Sequence, residues 1–135
     1  MTATTATTAT GNQNLVKLAL NLDALVTGVN GLAYLALAGP LHDLLGLSVG
    51  FQRGIGVFLL AYAVVVWAVG RPARVSPAAV GTVIAANLLW AVASVLELEL
   101  GGIDVNTLGA VWVVLQAVVV AAFAALQYAG LRQAR

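Results

Sequence analysis

The side chains able to do chemistry in this chain are few and far apart. Asp23, Tyr62, Asn87 and Gln116 each sit inside a long apolar run. A carboxyl, a phenol and two primary amides can exchange hydrogen bonds, and the carboxyl can exchange a proton. Their neighbours are phased with them. Asn87, Trp90, Ser94 and Glu97 fall on one arc of about 80° at the helical 100° per residue. Asp23, Thr27, Asn30 and Tyr34 fall within about 60° by the same count. A further row holds Gly109, Trp112, Gln116, Val120, Phe123 and Gln127. Arg53 and Glu97 lie toward the same end of the chain's folded length and are candidates for an ion pair.

Known catalytic signatures are missing. There is no phosphate-cradling GxxxxGK[ST], no HExxH and no GxSxG. The chain has no cysteine and one histidine, His42, so neither thiol chemistry nor a metal site built from His and Cys is expected. No catalytic residue, metal or cofactor is therefore assigned, and an enzyme is not the expected reading. The net charge is +1 with no basic tract, so nucleic acid is not an expected partner.

The elements that must position these groups are set by composition. The chain is 61% hydrophobic and 8% charged, with mean hydropathy +1.00. That leaves too little polar surface to coat a water-exposed domain, and an integral membrane protein is expected. Four runs approach the roughly 20 residues that cross the hydrocarbon: about 15–38, 51–69, 77–100 and 106–129. Gly39-Pro40, Gly70 with Pro72, and Gly101-Gly102 punctuate them, and Ser76-Pro77 opens the third as N-cap and first helical residue. "PLHDLLGLS" between the first two reads as a short interfacial turn of helix. The expected fold is all-α, a membrane-embedded up-down four-helix bundle in which sequential spans are antiparallel neighbours. Residues 1–14, "MTATTATTATGNQN", read as a disordered Thr/Ala-rich tail.

With four spans, Lys17, Arg71, Arg74, Arg132 and Arg135 share one end, and only Arg53 of the basic residues lies at the other, with Asp43, Glu97, Glu99 and Asp104. The positive-inside rule puts both termini in the cytoplasm. Counting 1.5 Å per residue from each span's start puts Asp23, Tyr62, Asn87 and Gln116 near mid-depth. A hydrogen-bonded layer of these four is expected, with Asp23 facing its partners and not lipid. Asn30, Trp90, Ser94 and Glu97 form a secondary stripe. The bland alternative is that the amides and the phenol only join helices.

The segments "RGIGVFLLAYAVVVW", "ANLLWAVAS" and "WVVLQAVVVAAFAALQYAGLR" resemble a group of small four-span integral membrane proteins common in high-GC bacteria and without an assigned activity. The likeness runs from about Leu15 to Arg132 and implies a bacterial inner membrane. The expected function is a non-enzymatic helical module that binds an apolar ligand or lipid, or serves as an accessory subunit. Its partners are the lipid bilayer and either a second copy of the chain or another membrane protein. Two alternatives remain: a small proton-coupled carrier using Asp23, and a membrane enzyme acting on lipid or quinone through Glu97 and Arg53.

Overall fold

In the computed structural model, which describes residues 12–135, five helices follow one another: α1 Asn14–Ala36, α2 Ala38–Leu45, α3 Val49–Val69, α4 Pro77–Leu100 and α5 Thr107–Ala134. All but α2 are long and apolar enough to cross a membrane. The result is an all-helical four-span bundle with α2 as a short extra helix. Met1–Gly11, most of the expected tail, lie outside the described residues. Asn12 to Asn14 do not fit the tail reading. The Asn12 amide donates to the Gln133 carbonyl (2.8 Å), and the Gln13 side-chain oxygen accepts from the Val75 amide (2.9 Å).

Local chemistry explains the helix ends. Ser48, Ser76 and Asn106 cap the last three spans, each side-chain oxygen accepting the backbone N–H three residues on. Pro77 occupies the first turn of α4, where its missing N–H costs nothing. Gly46 and Gly101 end α2 and α4 in the left-handed conformation (φ 84° and 74°). Pro40 falls in the first turn of α2, so it opens that helix instead of stopping α1. α1 breaks one turn earlier, at Leu37.

Around the bundle the order is α3–α1–α5–α4, and the ring does not close evenly. α1 packs extensively on α3 and α5, and α5 on α4, whereas α3 and α4 touch sparsely although they are joined directly. Residue size is the reason. Between α1 and α3, a Cβ on Gly31 would lie 3.0 Å from the Gly56 carbonyl, and one on Gly56 would lie 2.9 Å from that of Gly31. Only glycine lets these backbones meet. At the α3–α4 seam, Phe58 stacks on Tyr62 and on Trp90, with ring centroids 6.0 and 5.6 Å apart. These three rings hold the helices apart. Two of the three expected sequential pairs, α1–α3 and α4–α5, therefore pack closely, and only α3 and α4 stand apart.

Two apolar clusters fill the interior. Val16, Leu20, Val66, Val80, Val83 and Leu131 pack near the termini, and Tyr34, Leu45, Leu47 and Leu59 at the opposite end. The outward faces carry exposed large apolar side chains along every span, Leu and Val above all, the pattern of a surface solvated by lipid. α5 runs on through Gly130, which is no terminator. It sits against the Val16 backbone, where a Cβ would come within 2.5 Å of the Val16 nitrogen.

Gly130→Val is thus expected to force α1 and α5 apart and to destabilise by about 1–3 kcal/mol. Gly81→Val, at a glycine with nothing within 4 Å of an added Cβ, should be close to neutral. Thermal melts of both variants in one detergent would show it; equal melting temperatures would contradict the close approach.

Candidate functional site

Three spans place amide or carboxyl groups at one level in the bundle, and a fourth adds a phenol. Asp23 on α1 is 1% exposed, Asn87 on α4 is 3% and Gln127 on α5 is 0%; Tyr62 on α3 is half-buried. Asn87 Nδ2 donates to Asp23 Oδ2 (2.9 Å) and to Gln127 Oε1 (3.0 Å), and Gln127 Nε2 donates to Asp23 Oδ2 (2.7 Å). Tyr62 Oη donates to Asn87 Oδ1 (2.9 Å), and Thr27 Oγ1 to Asp23 Oδ1 (2.9 Å). Every polar atom of Asp23, Asn87 and Gln127 is engaged or solvent-accessible, since the one orphaned buried side-chain atom among the described residues is elsewhere. In hydrocarbon this closure matters, because water is absent to satisfy an orphan.

Asp23, Tyr62 and Asn87 stand together as the sequence led one to expect, but Gln116 does not join them. Gln127 takes its place, 11 residues further along α5 and hence about 16 Å away along the axis. Both lie on one face of α5, as 11 residues make roughly three turns. Counting depth from the start of α5 caused the miss. Asp23 lies nine residues in from the start of α1, about 14 Å from the end that carries the termini, so the matching group on α5 must be counted back from Ala134. The row that contained Gln116 also contained Gln127, and the end from which to count was the missing signal.

Gln116 belongs to a second group. Its Nε2 and the Trp112 Nε1 both donate to Tyr34 Oη, at 2.9 Å each. This group borders two chambers lying between the polar layer and the acidic end. One, of about 330 Å³, is lined by Thr27, Asn30, Trp90, Trp112, Gln116 and Phe123 among others. The second, about 240 Å³, is lined by Tyr34, Phe51, Trp90, Ser94, Glu97 and Gln116 among others. Trp90 and Gln116 border both. All members of the secondary stripe, Asn30, Trp90, Ser94 and Glu97, line one chamber or both. Ser94 Oγ is turned back onto the Trp90 carbonyl (2.7 Å). The Asn30 side chain and the Gln116 Oε1 have no hydrogen-bond partner among the described residues, and both residues line the larger chamber.

The expected ion pair is not formed. Arg53 and Glu97 are both exposed, and no ion pair joins them among the described residues. Gln52, fully buried, takes the inward position in that turn of α3 and turns Arg53 outward. The separation of α3 from α4 removes the rest of the reach. Gln52 is itself a residue that sequence reasoning missed. Its Nε2 donates to the carbonyls of Ala38 and Leu47 (2.9 Å each) and ties down both ends of α2, while its Oε1 is the orphaned atom. No regular spacing marked it. Lys17, at the other end, donates to the carbonyls of Pro72 (2.6 Å) and Arg71 (3.3 Å) and closes the α3–α4 loop.

No protein family, curated protein or solved structure matches the chain. Among the described residues no cluster of three or more His, Cys, Asp or Glu is placed to hold a metal ion.

The layer makes a specific mutational prediction. Thr27 is the one partner of Asp23 whose hydroxyl can reverse and accept. Asp23→Asn can therefore keep its oxygen toward Asn87 and Gln127 and turn its NH2 to Thr27, and should cost less than about 1 kcal/mol. Asp23→Leu loses two interhelical hydrogen bonds and should cost about 1–3 kcal/mol at roughly 0.6–1.7 kcal/mol each. In a Thr27→Val background the Asn variant loses its acceptor and should become as costly as Leu. Unfolding midpoints in mixed micelles would measure all of these; an Asn variant as damaging as Leu with Thr27 intact would contradict the network.

Proposed function

We propose that this is a multi-pass protein of a bacterial inner membrane, non-enzymatic, with both termini cytoplasmic, that binds an apolar ligand bearing a hydrogen-bonding group in the two chambers. The observation that carries the reading is the Asn30 side-chain amide and the Gln116 Oε1, both without a hydrogen-bond partner among the described residues, in a cavity walled by Trp90, Trp112 and Phe123. Mostly apolar walls with a few convergent polar groups are the usual form of a small-molecule site. The amides orient the ligand and the rings supply the contact area. The one carboxylate in either lining, Glu97, borders the second chamber without a hydrogen-bond or ion-pair partner among the described residues, and the chamber that holds Asn30 has none, which favours binding over an enzyme acting on lipid or quinone. The nearest buried carboxyl, Asp23, is held by three donors, which favours a structural task for it over proton exchange in a carrier.

The orientation rests on the basic residues, of which Arg53 alone stands apart from the end that carries the termini. A reporter active only outside the cytoplasm should be silent when fused after Arg135 and active when inserted at Gly101; the reverse pattern would invert the topology.

For the site, the protein extracted with its surrounding lipid and examined by native mass spectrometry is expected to retain a small molecule of constant mass. Ala93 lines the second chamber and is exposed, so Ala93→Phe should fill it without disturbing the core. Loss of the bound mass in Ala93→Phe at an unchanged melting temperature is the expected result. A wild type with no bound mass, or a bound mass indifferent to the filling, would contradict the reading.

A further inference from the structure

The two chambers carry one charged residue between them, Glu97. No Lys, Arg or His lines either. The carboxylate of Glu97 folds over Gly102, where an added Cβ would collide with it. It has no hydrogen-bond or ion-pair partner among the described residues. Arg53, the one Lys or Arg side chain at this end, lines neither chamber. Asp43, Glu99 and Asp104, all exposed at the same end, add to a negative field over the mouth. The rings of Tyr34, Phe51 and Trp90 line the same chamber as Glu97.

This combination selects by charge. Glu97 is exposed at the mouth, and a carboxylate beside apolar walls still attracts a cation more strongly than one in bulk water, because the effective dielectric near a protein surface is lower. Aromatic faces attract cations as well, best when the cation is already poorly hydrated. An anionic headgroup would meet repulsion from Glu97 and find no donor of positive charge. Resting on the chamber reading above, we infer that the ligand is a lipophilic cation. A quaternary ammonium or protonated amine lies against Glu97, Phe51 and Trp90, and its apolar body extends past Gln116 toward Trp112 and Asn30. A quaternary ammonium needs no hydrogen-bond acceptor, so the field and the rings suffice for it. The acidic end concentrates such ions at the mouth before they enter.

The test compares two probes of one shape: benzyltrimethylammonium and its uncharged isostere neopentylbenzene. The full-length protein in lipid nanodiscs carries Trp67→Phe, so that the remaining indoles, Trp90 and Trp112, both report from the chamber walls. Binding is read from their emission, with empty nanodiscs subtracted for partitioning. The cation should bind at least about tenfold more tightly than the isostere. Glu97→Gln should abolish that preference, and Gly102→Ala, whose methyl displaces the carboxylate, should reduce it. Glu99→Gln, at the same end but lining neither chamber, should leave it intact. Thermal melts would confirm that each variant folds. Equal affinities for the two probes, unchanged by Glu97→Gln, would overturn the cation assignment and leave an apolar site standing. Failure of both probes to bind would overturn the assignment and the chamber reading together.

Discussion

A carboxyl group placed inside hydrocarbon must find hydrogen-bonding partners within the protein, and this requirement at Asp23 organises the bundle. Its partners come from three spans. Asn87 and Gln127 reach it across helix interfaces, Thr27 from its own helix, and Tyr62 closes the set by holding the Asn87 oxygen. Apolar packing alone discriminates poorly among rotations of helices rich in Val, Ala and Leu, since lipid offers the same contacts as protein. A layer in which every donor group finds an acceptor on a fixed partner fixes both rotation and depth. The apolar clusters on either side then pack in a register already chosen.

The uneven ring follows from what flanks that layer. Glycines at 31 and 56 let α1 and α3 approach until backbone meets backbone, and α5 does the same to α1 at Gly130. The remaining seam cannot close, because Phe58, Tyr62 and Trp90 stand in it. The space left on the acidic side of the layer becomes the chambers. Trp90 thus serves both as a spacer between helices and as a wall of both chambers. The polar layer below, with Asp23 1% exposed, forms a floor.

How much of this could be read from the sequence differs by residue. The spans and the short α2 are legible because hydropathy, caps and glycine–proline punctuation act locally. The facing of Asp23, Asn87 and Tyr62 is legible because period and cost in lipid constrain it together. Gln127 is not, since depth depends on where α5 ends and Gly130 imitates a terminator while serving a helix contact. Arg53 and Glu97 look like a pair by position, yet pairing requires α3 and α4 to approach, which three aromatic rings prevent. Gln52 carries no signal in the sequence. Its role depends on carbonyls at Ala38 and Leu47 that only the fold brings to it.

The central claim, that a shared hydrogen-bonded layer and not apolar packing alone sets the helix register, is tested most directly by a double-mutant cycle. Asn87→Leu, Gln127→Leu and the double variant would be compared with wild type by equilibrium unfolding in mixed micelles. Both side chains are buried and bonded to one another and to the same Asp23 oxygen, so the account predicts a coupling of about 0.6–1.7 kcal/mol, the scale of interhelical hydrogen bonds. Strictly additive losses, with no coupling, would contradict it.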